Sequence, residues 1–228
     1  MFKKHSQKVR HLMIASFLFI SNGLYGENPN HLEPISPVDM TNFRDIMYKT
    51  LIHQDHLVKY WMVDRGVMGS PPSAIMLRKK TNLKGETEWT LEYAVAQEAL
   101  KAQLIFIDKE FVIHKLINKV KRYEVKVSAD FAHKTQKAWK DVLKQTRYAN
   151  TFWKGLDGVT YDFGSFPYYG TTWSPKSGLP KQLVELGKTL MLLTKTTQDS
   201  DEYKALIKQS LAKADEINAQ IKPKKNTE

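Results

Sequence analysis

The sequence predicts an α+β fold in which a small antiparallel sheet packs with about four to five amphipathic helices as a single domain. In several segments apolar residues recur every three or four positions, as on one face of a helix. In others they alternate with polar residues, as in half-buried strands. The 228 residues contain no internal repeat and no clear linker. A chain of about 200 residues can bury roughly 70% of its unfolded surface in one domain.

The N-terminal residues predict export. A basic segment precedes nine apolar residues, LMIASFLFI, and small residues follow at positions 21 and 23. This order is typical of a secretory signal peptide. Nine residues are too few for a membrane span, which needs about 20. We expect a cleaved signal peptide over residues 1–23, a polar leader arm over 24–36, the α+β domain over 37–221 and a basic tail over 222–228. The mature protein is expected to be soluble, in a bacterial periplasm or secreted.

Composition limits the function and the partners. The chain has no cysteine, which excludes disulfides, thiol catalysis and thiolate metal sites. Without the signal peptide, 31 basic residues stand against 24 acidic ones, a net charge of +7. A positive balance favours anionic partners. We expect another envelope or secreted protein as partner, with an anionic envelope polymer as the alternative. Nucleic acid is not expected for an exported protein.

The first half of the domain predicts one helix and a β-hairpin. Ser36 as N-cap and Pro37 at the first helical position indicate a helix start. The apolar spacing behind them predicts a helix over residues 37 to 62. Residues 73–81 and 86–96 alternate with period two, and NLKG between them suits a hairpin turn with glycine. Residues 97–121 contain no glycine or proline, and their spacing favours a helix, although β-branched and aromatic residues also suit buried strands.

The second half predicts a strand and three helices around a glycine-rich segment. Tyr123, Val125 and Val127 alternate as in a strand. Ser128 is a candidate N-cap for a helix reaching about residue 149. Two amphipathic helices close the fold, one beginning near Lys181 and one over the segment that starts DSDEYK.

The glycine-rich segment is also the richest in aromatic residues. Eight aromatic residues occur between positions 152 and 173, where the chain average of 11% gives two or three. We predict a strand over GVTYDFGSF, a turn at PYYG and a short return strand at TTWS. Exposed aromatics near lysines suit a protein contact, and aromatics filling a core between sheet and helices are the alternative. The candidate binding residues are Trp153, Tyr161, Tyr168, Tyr169, Trp173 and Lys176.

Two other kinds of site have candidate residues. Asp157 and Asp162 could act as paired carboxylates in an envelope-glycan hydrolase, as could the acidic faces near Glu88 and Glu92. His53 and His56 are three residues apart and could share a metal ion if a third ligand joined them. The chain has no P-loop, G-x-G-x-x-G or G-x-S-x-G motif, and its one S-x-x-K match, SLAK at residues 210–213, stands in reversed order to the KSG at residues 176–178. The sequence therefore favours a binding protein without enzymatic activity, without a cofactor and without a metal.

Signal-peptide removal is directly measurable. We expect the exported protein to begin at Leu24, after Gly23, with cleavage after Gly26 as the second possibility. Intact-mass measurement of protein from the periplasm or the medium checks this. Recovery of the complete chain from the cytosol only would contradict the export prediction.

Overall fold

The computed structural model describes residues 31–35, 42–52, 57–66, 70–98, 102–107, 110–116, 119–148 and 158–221. Within them lie one six-stranded antiparallel sheet, one two-stranded sheet and four helices. The mixed α+β class is confirmed, and the main sheet is larger than the small sheet predicted. The helices are α1 (Asn42–Ile52), α2 (Ala129–Leu143), α3 (Gly178–Leu193) and α4 (Asp201–Gln220). The strands are β1 (Val58–Asp64), β2 (Ser73–Thr81), β3 (Thr87–Ala96), β4 (Ala102–Ile107), β5 (Glu110–Leu116), β6 (Val120–Val127), β7 (Thr160–Ser165) and β8 (Tyr168–Trp173).

The six strands lie in the order β6-β3-β2-β1-β7-β8. Successive side chains of a strand point to opposite faces, and both faces of this sheet are covered. On one face α2, α3 and α4 enclose the larger core. On the other face α1 lies over a smaller core and also contacts β5 of the two-stranded sheet. The central strands are therefore apolar on both sides.

The larger core is centred on Trp139 of α2. Its ring stacks on Tyr60 at a centroid distance of 4.5 Å and meets Phe163 edge-on at 5.7 Å. Met62 reaches over Gly187 of α3, where a larger side chain would collide with its thioether. Burial of each such large apolar side chain stabilises the fold by about 1.5–3 kcal/mol.

The smaller core lets α1 lie close to the sheet. Ala74 and Ala94 are fully buried beneath it, and their short side chains leave room for Leu51 and Ile52 of the helix. One helix thus packs on this face of the sheet, whereas three helices enclose the core on the other face.

An N-terminal segment covers the outer edge of β8. Glu33 and Thr171 exchange two backbone hydrogen bonds, of 2.8 and 2.7 Å. Leu32 is fully buried in the larger core beside Gly170. Residues 31–35, part of the predicted leader arm, therefore occupy part of an otherwise open strand edge.

The helix predicted over residues 37 to 62 is wrong in its second half. The helix comprises Asn42–Ile52, and the chain from Val58 onward is strand β1. Tyr60 and Met62 face the larger core, while Trp61 and Val63 face the smaller one. A strand buried on both faces has no polar positions to reveal its period of two. The proposed start at residues 36 and 37 lies outside the described residues.

The helix favoured over residues 97–121 is also wrong. The structure has β4, β5 and the beginning of β6 there. The β-branched and aromatic residues that suit strands decided the local structure. By contrast, β2, β3 and their turn, the alternation in β6 and the Ser128 cap of α2 are confirmed. Helix α2 ends at Leu143, before the predicted end near residue 149.

The glycine-rich segment forms a hairpin, but its turn differs from the prediction. The turn is Phe166–Pro167, and the residues of PYYG after the proline belong to β8. Three of the four described glycines of this segment, Gly158, Gly164 and Gly170, lie where an added Cβ would collide with a neighbouring side chain. A Cβ at Gly164 would overlap the indole of Trp61 on β1, and one at Gly158 would overlap the indole of Trp173. These two glycines are therefore explained by the indole rings that occupy the space of their missing side chains.

Substituting Gly164 tests this packing. We expect Gly164→Ala to lower the free energy of unfolding by about 1–3 kcal/mol, as overpacked sites do. Urea denaturation measures the change. Gly85→Asn is the matched control, because Gly85 has open space around it and Asn tolerates its positive φ of 80°. Equal stability of Gly164→Ala and wild type would contradict the proposed packing.

Candidate functional site

The predicted binding residues that the structure describes lie on β7, β8 and the segment after them. Tyr161 is buried in the larger core, and Tyr168 and Trp173 are half-buried. Tyr169 and Lys176 are exposed. Trp153, Asp157, His53 and His56 lie outside the described residues. The predicted set is thus divided between the core and the surface.

An aromatic surface remains exposed at the tip of this hairpin. We call it the hairpin surface: Lys140, Phe166, Pro167, Tyr168 and Tyr169. Phe166 is 82% exposed at the turn, and Tyr169 is 46% exposed on β8. The Nζ atom of Lys140 in α2 lies 5.9 Å from the Tyr168 ring centre. Tyr168 and Lys140 lie on the side of the larger core and Tyr169 on the side of the smaller core, with Phe166 and Pro167 at the turn between the two faces. Aromatic rings and cations are groups that protein contacts use.

Tyr169 is held at the end of a row of three rings. The centroids of Tyr48 and Trp61 are 5.1 Å apart, and those of Trp61 and Tyr169 are 6.3 Å apart. Gly164 of β7 pairs with Trp61 of β1 on one side and with Tyr169 of β8 on the other. Because Gly164 has no side chain, the Trp61 indole can lie over it and contact Tyr169. The ring of Tyr169 therefore rests on buried groups while keeping half of its surface in solvent.

Asp162, the second acid/base candidate, lies at the centre of a buried polar cluster. Its side chain is fully buried, and Arg44 of α1 donates to it through Nη2. Arg65, just after β1, donates through Nε at 2.5 Å and through Nη2 at 2.8 Å. The hydroxyls of Tyr48 and Thr171 donate at 2.6 and 2.7 Å. Four side chains from three parts of the fold, namely α1, the end of β1 and β8, thus share one carboxylate.

The electrostatics of this cluster keep Asp162 ionised. Burial by itself raises the pKa of Asp162. The hydrogen bonds and positive charges of Arg65 and Arg44 lower this pKa by more than burial raises it, so that it lies below the ordinary 3.8. Burial also raises the pKa of Tyr48, which stays protonated as a donor. A general acid needs a raised pKa and access to substrate, and Asp162 has neither. Its surroundings are those of a structural ion pair.

A second cluster holds the other end of α1. Glu92 is buried and pairs with Arg78 and Arg122. Arg122 also donates to the backbone carbonyls of Thr50 and Leu51 in the last turn of α1. A cation is favourable at a helix C-terminus. Of the two acidic positions suggested on β3, Glu92 is therefore structural, and Glu88 is on the surface, paired with Lys126.

The partners of Asp162 were not among the predicted site residues. Arg44 lies between the apolar positions of an ordinary helix, and Arg65 lies in a loop next to Gly66. Two separate arginines carry no local signal that they share one carboxylate. The one available signal was Asp162 itself, a lone carboxylate in a strand whose neighbours Tyr161 and Phe163 are core residues.

The parts of the chain that the structure describes hold no cluster of three or more potential histidine or carboxylate metal ligands. Among these same residues, no helix is both long enough and apolar enough to cross a bilayer.

No family model, no curated protein and no solved structure matches this chain.

Replacing Asp162 tests its structural role. We expect Asp162→Asn to lower the free energy of unfolding at neutral pH by about 3–5 kcal/mol, because the buried Arg44 and the half-buried Arg65 lose their counter-charge. Urea denaturation measures the loss. Glu185→Gln is the control, since Glu185 pairs with Lys213 nearer the surface and such pairs contribute at most about 1 kcal/mol.

The lowered pKa of Asp162 also predicts how the stability difference between wild type and Asp162→Asn depends on pH. The pKa of Asp162 is lowered by folding, so its ionisation stabilises the fold above the unfolded value, and this contribution is lost as pH falls through the folded value. The difference between wild type and Asp162→Asn should therefore shrink below about pH 4. A difference that stays constant down to the lowest pH at which both proteins fold would contradict the assignment.

Proposed function

We propose that this chain is an exported binding protein of the bacterial cell envelope, without catalytic activity, that contacts another envelope or secreted protein through the hairpin surface. The observation that supports this most is Tyr169, a large ring half in solvent and fixed from below by Trp61. The ring of Tyr161 is already covered by the core, whereas the exposed part of the Tyr169 ring is held in position and is open to a partner protein.

Rigidity favours binding at this place. A partner that covers a mobile side chain must offset the rotamer entropy lost, about 0.5–1.5 kcal/mol for each side chain. The rings of Tyr48 and Trp61 already restrict Tyr169. Aromatic side chains of this kind supply most of the affinity in many interfaces. Most of the binding energy is therefore expected from Tyr169 and Phe166.

Charge favours an acidic partner. Lys140 lies over Tyr168, and Lys144 follows one turn later on the same helix. Lys144 also pairs with Asp141, and this hydrogen bond raises the pKa of the lysine. Lys140 and Lys144 thus place two basic side chains on the Tyr168 side of the hairpin. Carboxylates on a partner would complement them and speed association.

Substitutions at Tyr169 and Tyr168 separate binding from folding. We expect Tyr169→Ala to lower capture of the partner from envelope extract at least about tenfold, the effect of losing one interface hot spot. Its melting temperature should stay close to wild type, because Tyr169 is half exposed. Tyr168→Ala should lower the melting temperature, since Tyr168 packs on the larger core.

Leu192→Ala is the matched control for capture. Leu192 is 55% exposed on α3, away from the hairpin. Its truncation should change neither capture nor folding. Equal capture by Tyr169→Ala and wild type would count against the hairpin surface, and unfolding of Tyr169→Ala would show that the ring is a core residue.

A further inference from the structure

Two hairpin turns at one end of the main sheet each present a single apolar side chain to solvent. Leu83, between β2 and β3, is fully exposed, and Phe166, between β7 and β8, is 82% exposed. They are the most exposed large hydrophobic side chains among the described residues. Strand register places both turns at the end where β1 begins, because Val58 pairs with Arg78 before the first turn and Trp61 pairs with Gly164 before the second.

The sheet sets the spacing of the two turns. The strand order puts three strand intervals between the middle of the β2–β3 pair and the middle of the β7–β8 pair. At about 4.8 Å per interval, the turns are about 14 Å apart across the sheet. Trp61 pairs with both Met76 and Gly164, and β2 continues to Thr81 whereas β7 ends at Ser165, so the first turn also lies about four residues, roughly 13 Å, further along the strands. Helix α2 runs over the same region, since His133 packs on Trp89 of β3 and Lys140 lies over Tyr168 of β8.

Lysines surround both apolar tips. Lys80 and Lys84 are exposed beside Leu83, and the Nζ atom of Lys79 lies 5.3 Å from the Trp89 ring centre nearby. The carboxylates beside the first turn are already engaged: Glu86 accepts a hydrogen bond from Asn82, and Glu88 pairs with Lys126. Around both turns the lysines outnumber the carboxylates Glu86, Glu88 and Asp141; they are Lys79, Lys80, Lys84, Lys126, Lys140 and Lys144.

We propose that this end of the sheet also binds the surface of an anionic lipid bilayer. Leu83 and Phe166 would insert into the boundary between headgroups and acyl chains, with Tyr168 and Tyr169 at headgroup level, where tyrosine is enriched. The lysines would attract anionic headgroups. Two separate tips, each with one apolar side chain and its own lysines, match a continuous surface that needs no complementary pocket. This contact differs from the protein contact proposed above, because it requires Leu83.

Vesicle sedimentation tests the proposal. The protein is recovered in its exported form and mixed with sucrose-loaded vesicles of phosphatidylcholine, with or without about 30% phosphatidylglycerol. We expect wild type to bind the anionic vesicles only, and to release them as salt rises. The double variant Leu83→Ser/Phe166→Ser should lose at least about tenfold in partition coefficient. Because all variants share one N-terminus, a difference among them reports on the two turns.

The control variant is Leu192→Ser, which removes an exposed leucine of α3 and should bind vesicles like wild type. Failure of wild type to bind anionic vesicles would overturn the proposal, as would equal binding by the double variant or an equal loss in Leu192→Ser. Leu83→Ser alone separates the two contacts. If it lowers protein capture and leaves vesicle binding unchanged, the turn belongs to the protein interface and the lipid proposal is wrong.

Discussion

The buried carboxylate of Asp162 is the interaction on which the α1 side of the sheet depends. An ionised carboxylate removed from water is unstable unless it is paired and fully hydrogen-bonded. Here Arg44 and Tyr48 come from α1, Arg65 from the end of β1 and Thr171 from β8. Satisfying one side chain thus fixes the positions of a helix and three neighbouring strands. The requirement is mutual, because Arg44 and Arg65 would lose their counter-charge without Asp162.

The Asp162 cluster also supports the row of three rings, Tyr48, Trp61 and Tyr169, that ends at the surface. Tyr48 donates to Asp162 and also packs against Trp61, so the cluster that fixes the helix also fixes the first ring. Trp61 lies over Gly164, and Tyr169 rests against its far side. The exposed ring of the hairpin surface is therefore supported by the buried ion pair through two intermediate contacts. A rigid surface group of this kind suits recognition better than a group on a mobile loop.

The described polar clusters differ from a catalytic site in a consistent way. Asp162 and Glu92 are both buried, and each is held by two arginines. The carboxylate oxygens of both residues are engaged by these arginines, and the lowered pKa of Asp162 keeps that group ionised. The two most exposed large hydrophobic side chains among the described residues, Leu83 and Phe166, lie instead at two hairpin turns at one end of the main sheet. The buried polar groups that organise the fold are thus separate from the surface groups that the proposed contacts use.

The sequence by itself determined the elements that have one buried face. Strand β6 and helices α2 and α4 show their period locally, because each alternates between core and solvent. Strands β2 and β3 are buried on both faces over much of their length, but the polar Glu88, Thr90 and Glu92 on one face of β3 still mark its period of two. Only the tertiary structure decided the elements whose surroundings are set by distant residues. Strand β1 is apolar on both faces and shows no period, and 117 residues separate Arg44 from Asp162 in the chain. Periodicity reports burial within a segment, whereas the partner of a buried charge depends on which segments the fold brings together.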